Sequence, residues 1–384
     1  MKLRNLIPLL CAVVLFCSQT TTKSQTPENQ KRTLIRAGHM IDVKTGKTLD
    51  AQTIIVVGRT IQSIAPSASV AAGPGDAVID LGSMTVLPGL IDAHTHLTMD
   101  TNFDPYHELT MTDARSAITG GHCDDNLLPY KYHATYGGVA DGIAEVQHKV
   151  RENIKYGADL IKVCATGGVL SKGDDPQASQ FTLEEMQAIV ADAHRLGRKV
   201  AAHAHGGQGI LWAAEAGVDS IEHGTYIDDK AIAVMKEKGT YLVPTLYLED
   251  WIQQNGHLPA FAQKKMEEVS LVAKKNIKHA MDSGVKIAMG TDAAVYPHGL
   301  NAHELDVYVN QLGMTPIAAL QTATVNAADL MGWSAKTGSL EPGKWADVIA
   351  VDGDPLKDIR LLQDVKFVMK AGRVYKQNGR GLVE

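Results

Sequence analysis

The 384-residue chain has few of the features that mark disulfide-stabilised or nucleic-acid-binding proteins. It has four cysteines, too few for a disulfide framework. Cys11 and Cys17 lie near the N-terminus, and Cys123 and Cys164 are expected to be buried thiols rather than a bridge. The net charge is −6 and no basic stripe is present, which argues against a nucleic-acid partner. Low-complexity runs and obvious repeats are absent.

The N-terminal apolar run is too short to span a bilayer comfortably. Lys2 and Arg4 precede this run, which ends at Cys17, and polar residues follow. The layout predicts a signal peptide over residues 1–25, and therefore a secreted or periplasmic protein without a membrane span. A lipid anchor at Cys17 is the alternative, which Phe16 disfavours because a small residue is expected there.

The two ends of the chain are rich in short strands and flank a different middle. Residues 32–88 and 337–384 carry β-rich segments separated by turns that contain Gly, Asp or Pro. These flanks predict one small β-sandwich domain assembled from residues 26–88 and 336–384. His39 lies in this part, and we assign it a structural role.

Residues 89–335 alternate short apolar strands with helical segments, among them one predicted helix at residues 141–156 and one at residues 264–284. Several of these segments end at a glycine, the usual left-handed stop of a helix. The glycines are Gly157, Gly197, Gly217, Gly239 and Gly284. Alternation of strands and helices implies parallel strands, and this number of units favours a (β/α)₈ barrel over a doubly wound sheet. In such barrels the chemistry takes place at the C-terminal ends of the strands.

Six residues with metal-binding or unusual chemistry lie at these strand ends. The stretch "LPGLIDAHTHL" sets His94 and His96 two positions apart, so both side chains point to the same side of a strand. The others are Lys162 in "LIKVCATGG", His203 in "VAAHAHG", His223 in "SIEHGT" and Asp292 in "AMGTDAA". Imidazole and carboxylate are ligands of Zn²⁺-type ions, so the set predicts a metal site. A lysine in an apolar strand is costly unless it is paired or modified.

The chain resembles the amidohydrolase superfamily, and within it the imidazolonepropionase-like, prolidase-like branch of metal-dependent dipeptidases. The resemblance covers residues 32–384. It rests on "LPGLIDAHTHL", "TGGHCD", "IKVCATGGV", "AAHAHG", "IEHG", "GTDAAVYPHG" and "GSLEPGKWADVIAVDGDPL". It implies a hydrolase that cleaves an amide bond of a dipeptide (Xaa-Pro-like) or of an N-acyl amino acid. The attacking hydroxide would be activated by two divalent metal ions, expected to be zinc.

The resemblance also implies a role for each strand-end residue. The implied metal ligands are His94, His96, Lys162, His203, His223 and Asp292. In the family, the strand-one histidines bind one ion and the strand-five and strand-six histidines bind the other. CO₂ would convert Lys162 to a carbamate that bridges both ions, and Asp292 would also shuttle protons as general base and then acid. His203 rather than His205 matches the family position, which leaves His205 to line the cleft.

Three further residues are implied to contact the substrate. His122 in "TGGHCD" resembles a catalytic loop residue that faces the substrate and steadies the tetrahedral oxyanion. A plain hydrogen-bonding role in the loop is the alternative. Tyr226 and His298, just past ligand strands, are the candidates for binding the substrate's carboxylate. The expected partner is a small molecule or dipeptide, and homo-oligomerisation is left open.

The segment between the first and fourth barrel strands is shorter than the fold requires. From His96 to Lys162 is 66 residues, where three βα units need roughly 90. From His223 to Asp292 is 69 residues, close to two units. About one βα unit near strand two is therefore expected to be missing, which predicts a wider and less stable site.

Two alternative functions stay open at this point. A cyclic-amide hydrolase, such as an imidazolonepropionase, is disfavoured by Lys162, which suits the two-metal dipeptidase branch better. An inactive binding or scaffold relative is favoured by the shortened segment. It is disfavoured by the six retained ligand residues, because such relatives generally lose metal ligands.

Overall fold

The computed structural model of the protein describes residues 31–97, 139–171, 173–256 and 258–382. The predicted leader, His122 and most of the shortened segment lie outside these residues. None of the helices in the described part combines the length and the hydropathy that a bilayer crossing requires.

Strands and helices of the described residues are numbered separately along the chain. The strands are β1 (Arg32–Asp42), β2 (Lys47–Val57), β3 (Thr60–Pro66), β4 (Ala77–Pro88), β5 (Leu160–Cys164), β6 (Lys199–Ala204), β7 (Ser220–His223), β8 (Tyr241–Val243), β9 (Lys286–Ile287), β10 (Val348–Asp352), β11 (Phe367–Lys370), β12 (Arg373–Gln377) and β13 (Arg380–Gly381). The α-helices are α1 (Ile143–Lys155), α2 (Leu183–Arg195), α3 (Gly207–Ala216), α4 (Asp229–Lys238), α5 (Tyr247–Asn255), α6 (Ala260–Ser270), α7 (Ala273–Asp282), α8 (His303–Asp306), α9 (Pro316–Gln321) and α10 (Ala327–Leu330). Two π-helical segments, Val307–Gln311 and Thr322–Asn326, follow α8 and α9.

Strands from both ends of the chain form one eight-stranded sheet. Its order is β13-β12-β11-β10-β4-β1-β2-β3. The two ends meet where β4 and β10 pair antiparallel, with Pro88 opposite Val348. Side chains from both ends, among them Ile35, Val86 and Phe367, are fully buried in its core. This confirms that both chain ends build the β-rich part of the molecule.

A second sheet consists of five parallel strands in the order β5-β6-β7-β8-β9. The segment that follows β4 runs beside the end of this sheet through a parallel bridge between Thr95 and Ala293. The Ala93 N–H donates to the Met289 carbonyl at 2.9 Å. Residues 91–97, the first barrel strand, therefore lie beside residues 286–293, the last barrel strand, which begins with β9. The α/β barrel-type fold is confirmed. Residues 98–138 lie outside the described residues, and the missing unit stays a prediction.

The helices follow the sequence pattern closely, with one exception. Helix α1 lies within the predicted helix at 141–156, and the five glycines predicted to end helices all have positive φ. Residues 264–284, predicted as one helix, instead contribute to two, α6 and α7, with a break at Leu271–Val272. The break lets the two helices pack on different cores: Met266 of α6 joins a separate apolar cluster, while Ile277 of α7 joins the main core.

Cys164 ends β5 and is disulfide-bonded, so its interpretation as a buried thiol is wrong. The other cysteines of the chain lie outside the described residues.

Gly290 follows β9 where the last barrel strand passes the first. A Cβ atom here would lie 2.3 Å from Val243 Cγ1 and 2.7 Å from His94 Cβ. Such distances are far below van der Waals contact, so the strands can approach this closely only because the residue has no side chain.

We expect Gly290→Ala to destabilise the fold, because the added methyl group must push β8 and the first strand apart. Overpacking of this kind costs about 1–3 kcal/mol. Thermal melting would show a lower Tm than for Gly381→Ala, since a Cβ at Gly381 meets nothing within 4 Å. Equal melting temperatures for the two variants would contradict this account of Gly290.

Glu249 is a buried acid on the inner face of α5, with only 7% of its surface exposed. Burial raises its pKa to about 7, partly opposed by the positive charge of Lys274 and assisted by the negative charge of Asp250. The folded protein therefore binds the Glu249 proton more tightly than the unfolded chain does.

The stability contributed by the Glu249 proton should be complete below the unfolded pKa of about 4.5 and lost as pH rises through 7. The full shift corresponds to about 3 kcal/mol. Glu249→Gln should remove this dependence, so the variant gains stability relative to the parent between about pH 5 and 7. Urea unfolding at several pH values measures the difference, and a pH-independent difference would contradict the assignment.

Candidate metal centre

The first and last barrel strands bring two imidazoles to one carboxylate. The Nε2 atoms of His94 and His96 lie 3.3 and 2.8 Å from Asp292 Oδ1. The N–H groups of Thr291 and Asp292 both donate to the His94 carbonyl, at 2.9 and 2.7 Å. Asp292 has a φ of 58°, which is uncommon for a residue with a side chain. The backbone of both strands thus fixes the carboxylate against the two rings.

A second group of imidazoles comes from β6, β7 and the residues that follow β6. The ligand atoms of His203, His205 and His223 lie within 4.8 Å of one another. The same spacing holds for His94, His223 and Asp292. Because His223 belongs to both groups, the donor atoms of all four strand ends form one continuous cluster.

Three of these rings have their Nδ1 atom held by a side chain from another strand end. The pairs are His94 with Glu222, His205 with Thr225 and His223 with Thr245, each at 2.7 Å. Metal-binding histidines usually make such a hydrogen bond with the ring nitrogen that does not face the ion. The arrangement therefore leaves the Nε2 atom of each ring as the one that can bind an ion, and the Nε2 of His94 already faces Asp292.

His203 is held differently. Its Nε2 lies 3.3 Å from the Gly167 carbonyl, a long hydrogen bond. The His203 and His205 rings lie equally near His223, with centroids 4.7 and 4.8 Å away. Both histidines of "HAHG" therefore reach the centre, and the choice of His203 as ligand stays a prediction.

Lys162 on β5 lies on the same side of the sheet as His203. In the parallel register Lys162 is opposite Ala201, and His203 lies two positions further along β6. Because side chains alternate with a period of two, Lys162 and His203 point to the same face of the sheet. Desolvation lowers the pKa of the lysine, although the charges of Glu222 and Asp292 oppose this. A lower pKa favours the neutral amine, the form that reacts with CO₂.

The electrostatics of the cluster fit a divalent cation. Desolvation and neighbouring positive charge hold the pKa values of His203 and His223 well below the usual range, so these rings are neutral donors. Desolvation and Lys162 act to lower the pKa of His94, but Asp292 and Glu222 raise it to about 9. A protonated His94 offsets one of the two negative charges of these carboxylates, so the surroundings of the ring favour a cation. Imidazole nitrogen and carboxylate oxygen suit Zn²⁺.

The residues predicted to contact substrate do not belong to the two donor groups. Tyr226 is partly buried, and its N–H donates to the His205 carbonyl at 2.9 Å. His298 is exposed in the turn before Gly299. His122 lies outside the described residues. The substrate roles of all three stay predictions.

Two acidic residues at the centre were not found by sequence reasoning. Glu222 precedes His223 and contacts His94. Asp92 precedes His94 by two positions, and its carboxylate accepts hydrogen bonds from the Thr291 hydroxyl at 2.6 Å and the His94 N–H at 3.1 Å. The signal that could have found both is an acid within two residues of a strand-end histidine.

An apolar cluster adjoins the histidines. Its buried members are Val169, Leu248, Ile252, Met266, Val269, Ala293 and Tyr296. Ala293 directly follows Asp292, and Tyr226 packs against the cluster from the loop after β7. The centre is therefore bordered by a hydrophobic wall built from α5, α6 and the strand-end loops.

Comparison with known proteins identifies the class to which this fold and centre belong. Residues 123–375 match the model of the amidohydrolase family. Since the match covers more than half of the chain, the chain belongs to this family. The resemblance inferred from the sequence is confirmed.

One curated protein and two solved structures are among the proteins similar to this chain. Ochratoxinase from Aspergillus niger is 42% identical over 249 residues, which cover 63% of this chain and 52% of that protein. The matched part thus spans about half the length of this curated relative. The crystal structure of a Xaa-Pro dipeptidase with bound methionine superposes with a TM-score of 0.81 at 33% identity, covering 90% of this chain and 100% of that one. A prolidase complexed with N-methylphosphonate-L-proline gives 0.80 at 26% identity, with the same coverage.

We expect Zn²⁺ to raise the Tm of protein stripped of metal, because an ion that binds only the folded state stabilises it. At a hundredfold excess over Kd the gain is about 2.7 kcal/mol. His223→Ala should lose most of this shift, since its ring belongs to both donor groups. His39→Ala, an exposed histidine paired with Asp50 in the β-sheet, should keep it. Absence of a shift in the parent protein would show that the donors do not form a metal site.

Proposed function

We propose that this chain is a binuclear metal-dependent hydrolase that cleaves an amide bond of a dipeptide, Xaa-Pro-like, or of an N-acyl amino acid. The observation that carries the proposal is that Asp292 lies against two imidazoles while His223 joins them to a second imidazole group. A carboxylate at the edge of such a donor cluster can both bind an ion and exchange a proton with substrate. The proposal of a hydrolase therefore rests on membership of the amidohydrolase family and on this geometry together.

The proposed ligands are those inferred from the sequence. They are His94, His96, Lys162 as a carbamate, His203, His223 and Asp292. When bound, two divalent ions, expected to be zinc, would supply Lewis-acid activation of water and of the scissile carbonyl. The neutral imidazoles and the lysine with a lowered pKa support this assignment.

Asp292 is proposed to move the proton. Burial would raise its pKa, but the positive charge of His94 and hydrogen bonds from His94 and His96 hold it well below its usual value. The side chain is therefore an ionised base at neutral pH, and 14% of it is exposed toward solvent. It would accept a proton from the attacking water and return it to the leaving nitrogen.

The substrate class is supported by the relatives and by the apolar wall. The names of the relatives include a Xaa-Pro dipeptidase, a prolidase bound to a proline phosphonate, and ochratoxinase. The cluster around Tyr296 would accept an apolar group next to the scissile amide. Tyr226 and His298 are proposed to bind the carboxylate, and His122 to steady the oxyanion. Secretion or export to the periplasm stays a proposal that rests on residues 1–25.

We expect zinc-loaded protein to hydrolyse members of a panel of L-Xaa-L-Pro dipeptides, other dipeptides and N-acyl amino acids. Asp292→Asn should lower kcat by at least about 10²-fold, because it removes the proton carrier. Asp50→Asn, an exposed acid in the β-sheet, is the matched control and should leave turnover unchanged. Release of free amino acid is the measurement.

Two outcomes would count against the proposal. Unchanged turnover in Asp292→Asn would remove the proton-transfer role. A parent protein that binds two zinc ions and cleaves no member of the panel would favour the binding or scaffold alternative.

A further inference from the structure

Glu222 is a buried acid at the centre for which the proposed reaction has no step. Only 2% of its surface is exposed. One carboxylate oxygen lies 2.7 Å from His94 Nδ1, and the other accepts the Ser220 hydroxyl at 2.5 Å. A buried carboxylate is costly unless each oxygen is paired. Both oxygens of Glu222 are paired, and one partner is a predicted metal ligand.

The backbone of β7 explains how Glu222 and His223 both reach the centre. Adjacent residues of a strand normally point to opposite sides. Glu222 contacts His94 across the barrel, so its side chain points inward. His223 has a φ of 70° and Gly224 also has a φ of 70°. This left-handed turn interrupts the alternation and returns the His223 ring to the same side.

A histidine in the left-handed region is strained and persists only where its surroundings enforce it. Here the His223 ring is fixed by its hydrogen bond to Thr245. The strain at His223 allows one four-residue strand to contribute two neighbouring functional groups. The bend in the backbone after Glu222 thus lets Glu222 contact the His94 ring while His223 also reaches the centre, which burial beside a ligand would not require.

We propose, building on the proposed function, that Glu222 is a positioning residue for His94. Its carboxylate accepts the Nδ1–H of the ring, which selects the tautomer with a free Nε2 and aims that atom toward Asp292. The other tautomer would carry a hydrogen on Nε2 and could not bind an ion there. Among the three ring partners at the centre, Thr225 and Thr245 are neutral and Glu222 is an acid.

The charge of Glu222 gives it a second effect. Glu222 and Asp292 lie on opposite sides of the His94 ring, one at each ring nitrogen. Both are anionic, and together they favour a cation at the position between Asp292 and the histidines. Glu222 thus strengthens metal binding without touching the ion, whereas the threonines can only orient their rings.

The test is zinc affinity at one fixed pH, measured by competition with a chromophoric chelator. Glu222→Gln keeps an acceptor for His94 but removes the charge, and Glu222→Ala removes both. Partners of this kind typically alter affinity 10–100-fold. We expect Glu222→Ala to weaken zinc binding by about that factor and Glu222→Gln to fall between it and the parent. Ser220→Ala, which removes only the other partner of Glu222, is the matched control and should stay within about threefold of the parent.

A second measurement shows which nitrogen of the His94 ring carries the hydrogen. In long-range ¹H–¹⁵N spectra of zinc-loaded protein, His94 should carry its hydrogen on Nδ1 in the parent and in Glu222→Gln. Glu222→Ala should show a mixture of ring states. If Glu222→Ala does not fold, the affinity and spectrum of Glu222→Gln carry the test.

The outcomes separate this inference from the function on which it rests. A parent that binds zinc, with unchanged affinity in folded Glu222→Gln and Glu222→Ala, would overturn the role of Glu222 alone. His94 coordinated through Nδ1 in the parent would also overturn it. A parent that binds no zinc would instead overturn the proposed function.

Discussion

The contact between the Asp292 carboxylate and the rings of His94 and His96 is the interaction on which the centre depends. It joins the first barrel strand to the last, and the backbone hydrogen bonds to the His94 carbonyl hold the two strands in register. Gly290 permits this approach, since any side chain there would collide with His94. The same few residues therefore close this side of the barrel and assemble half of the donor atoms, so fold and chemistry cannot vary independently here.

Residues with side chains in left-handed conformations gather at the C-terminal ends of the barrel strands. His223, Thr245, Asp292 and Ala294 all have positive φ. Such conformations are disfavoured for residues with a Cβ, and they cluster at functional sites where the surroundings enforce them. Two of the four are predicted metal ligands and a third, Thr245, fixes the ring of one. The geometry of the centre is thus held against local backbone preference by the packed barrel around it.

Much of the fold followed from sequence pattern, because glycine stops and alternating strands and helices are local signals. The strand-end histidines were found for the same reason, since each follows an apolar strand. The break between α6 and α7 was missed, because only the tertiary environment reveals that Met266 and Ile277 face different cores. Glu222 was missed because its role depends on contact with His94, 128 positions away. The competition between His203 and His205 likewise could not be decided from spacing.

The pairing of β4 with β10 ties the end of the chain to its chemistry. Beyond Pro88 the chain continues directly into the first barrel strand, and the Gly89 N–H donates to the Asp347 carbonyl at 2.9 Å. Strands β10 to β13 thus support the segment that carries His94, although none of their residues lies at the centre. A truncated product that ended before Val348 would retain every proposed ligand and lose the support that orients two of them. Loss of these distant strands would then weaken metal binding, as loss of a metal ligand would.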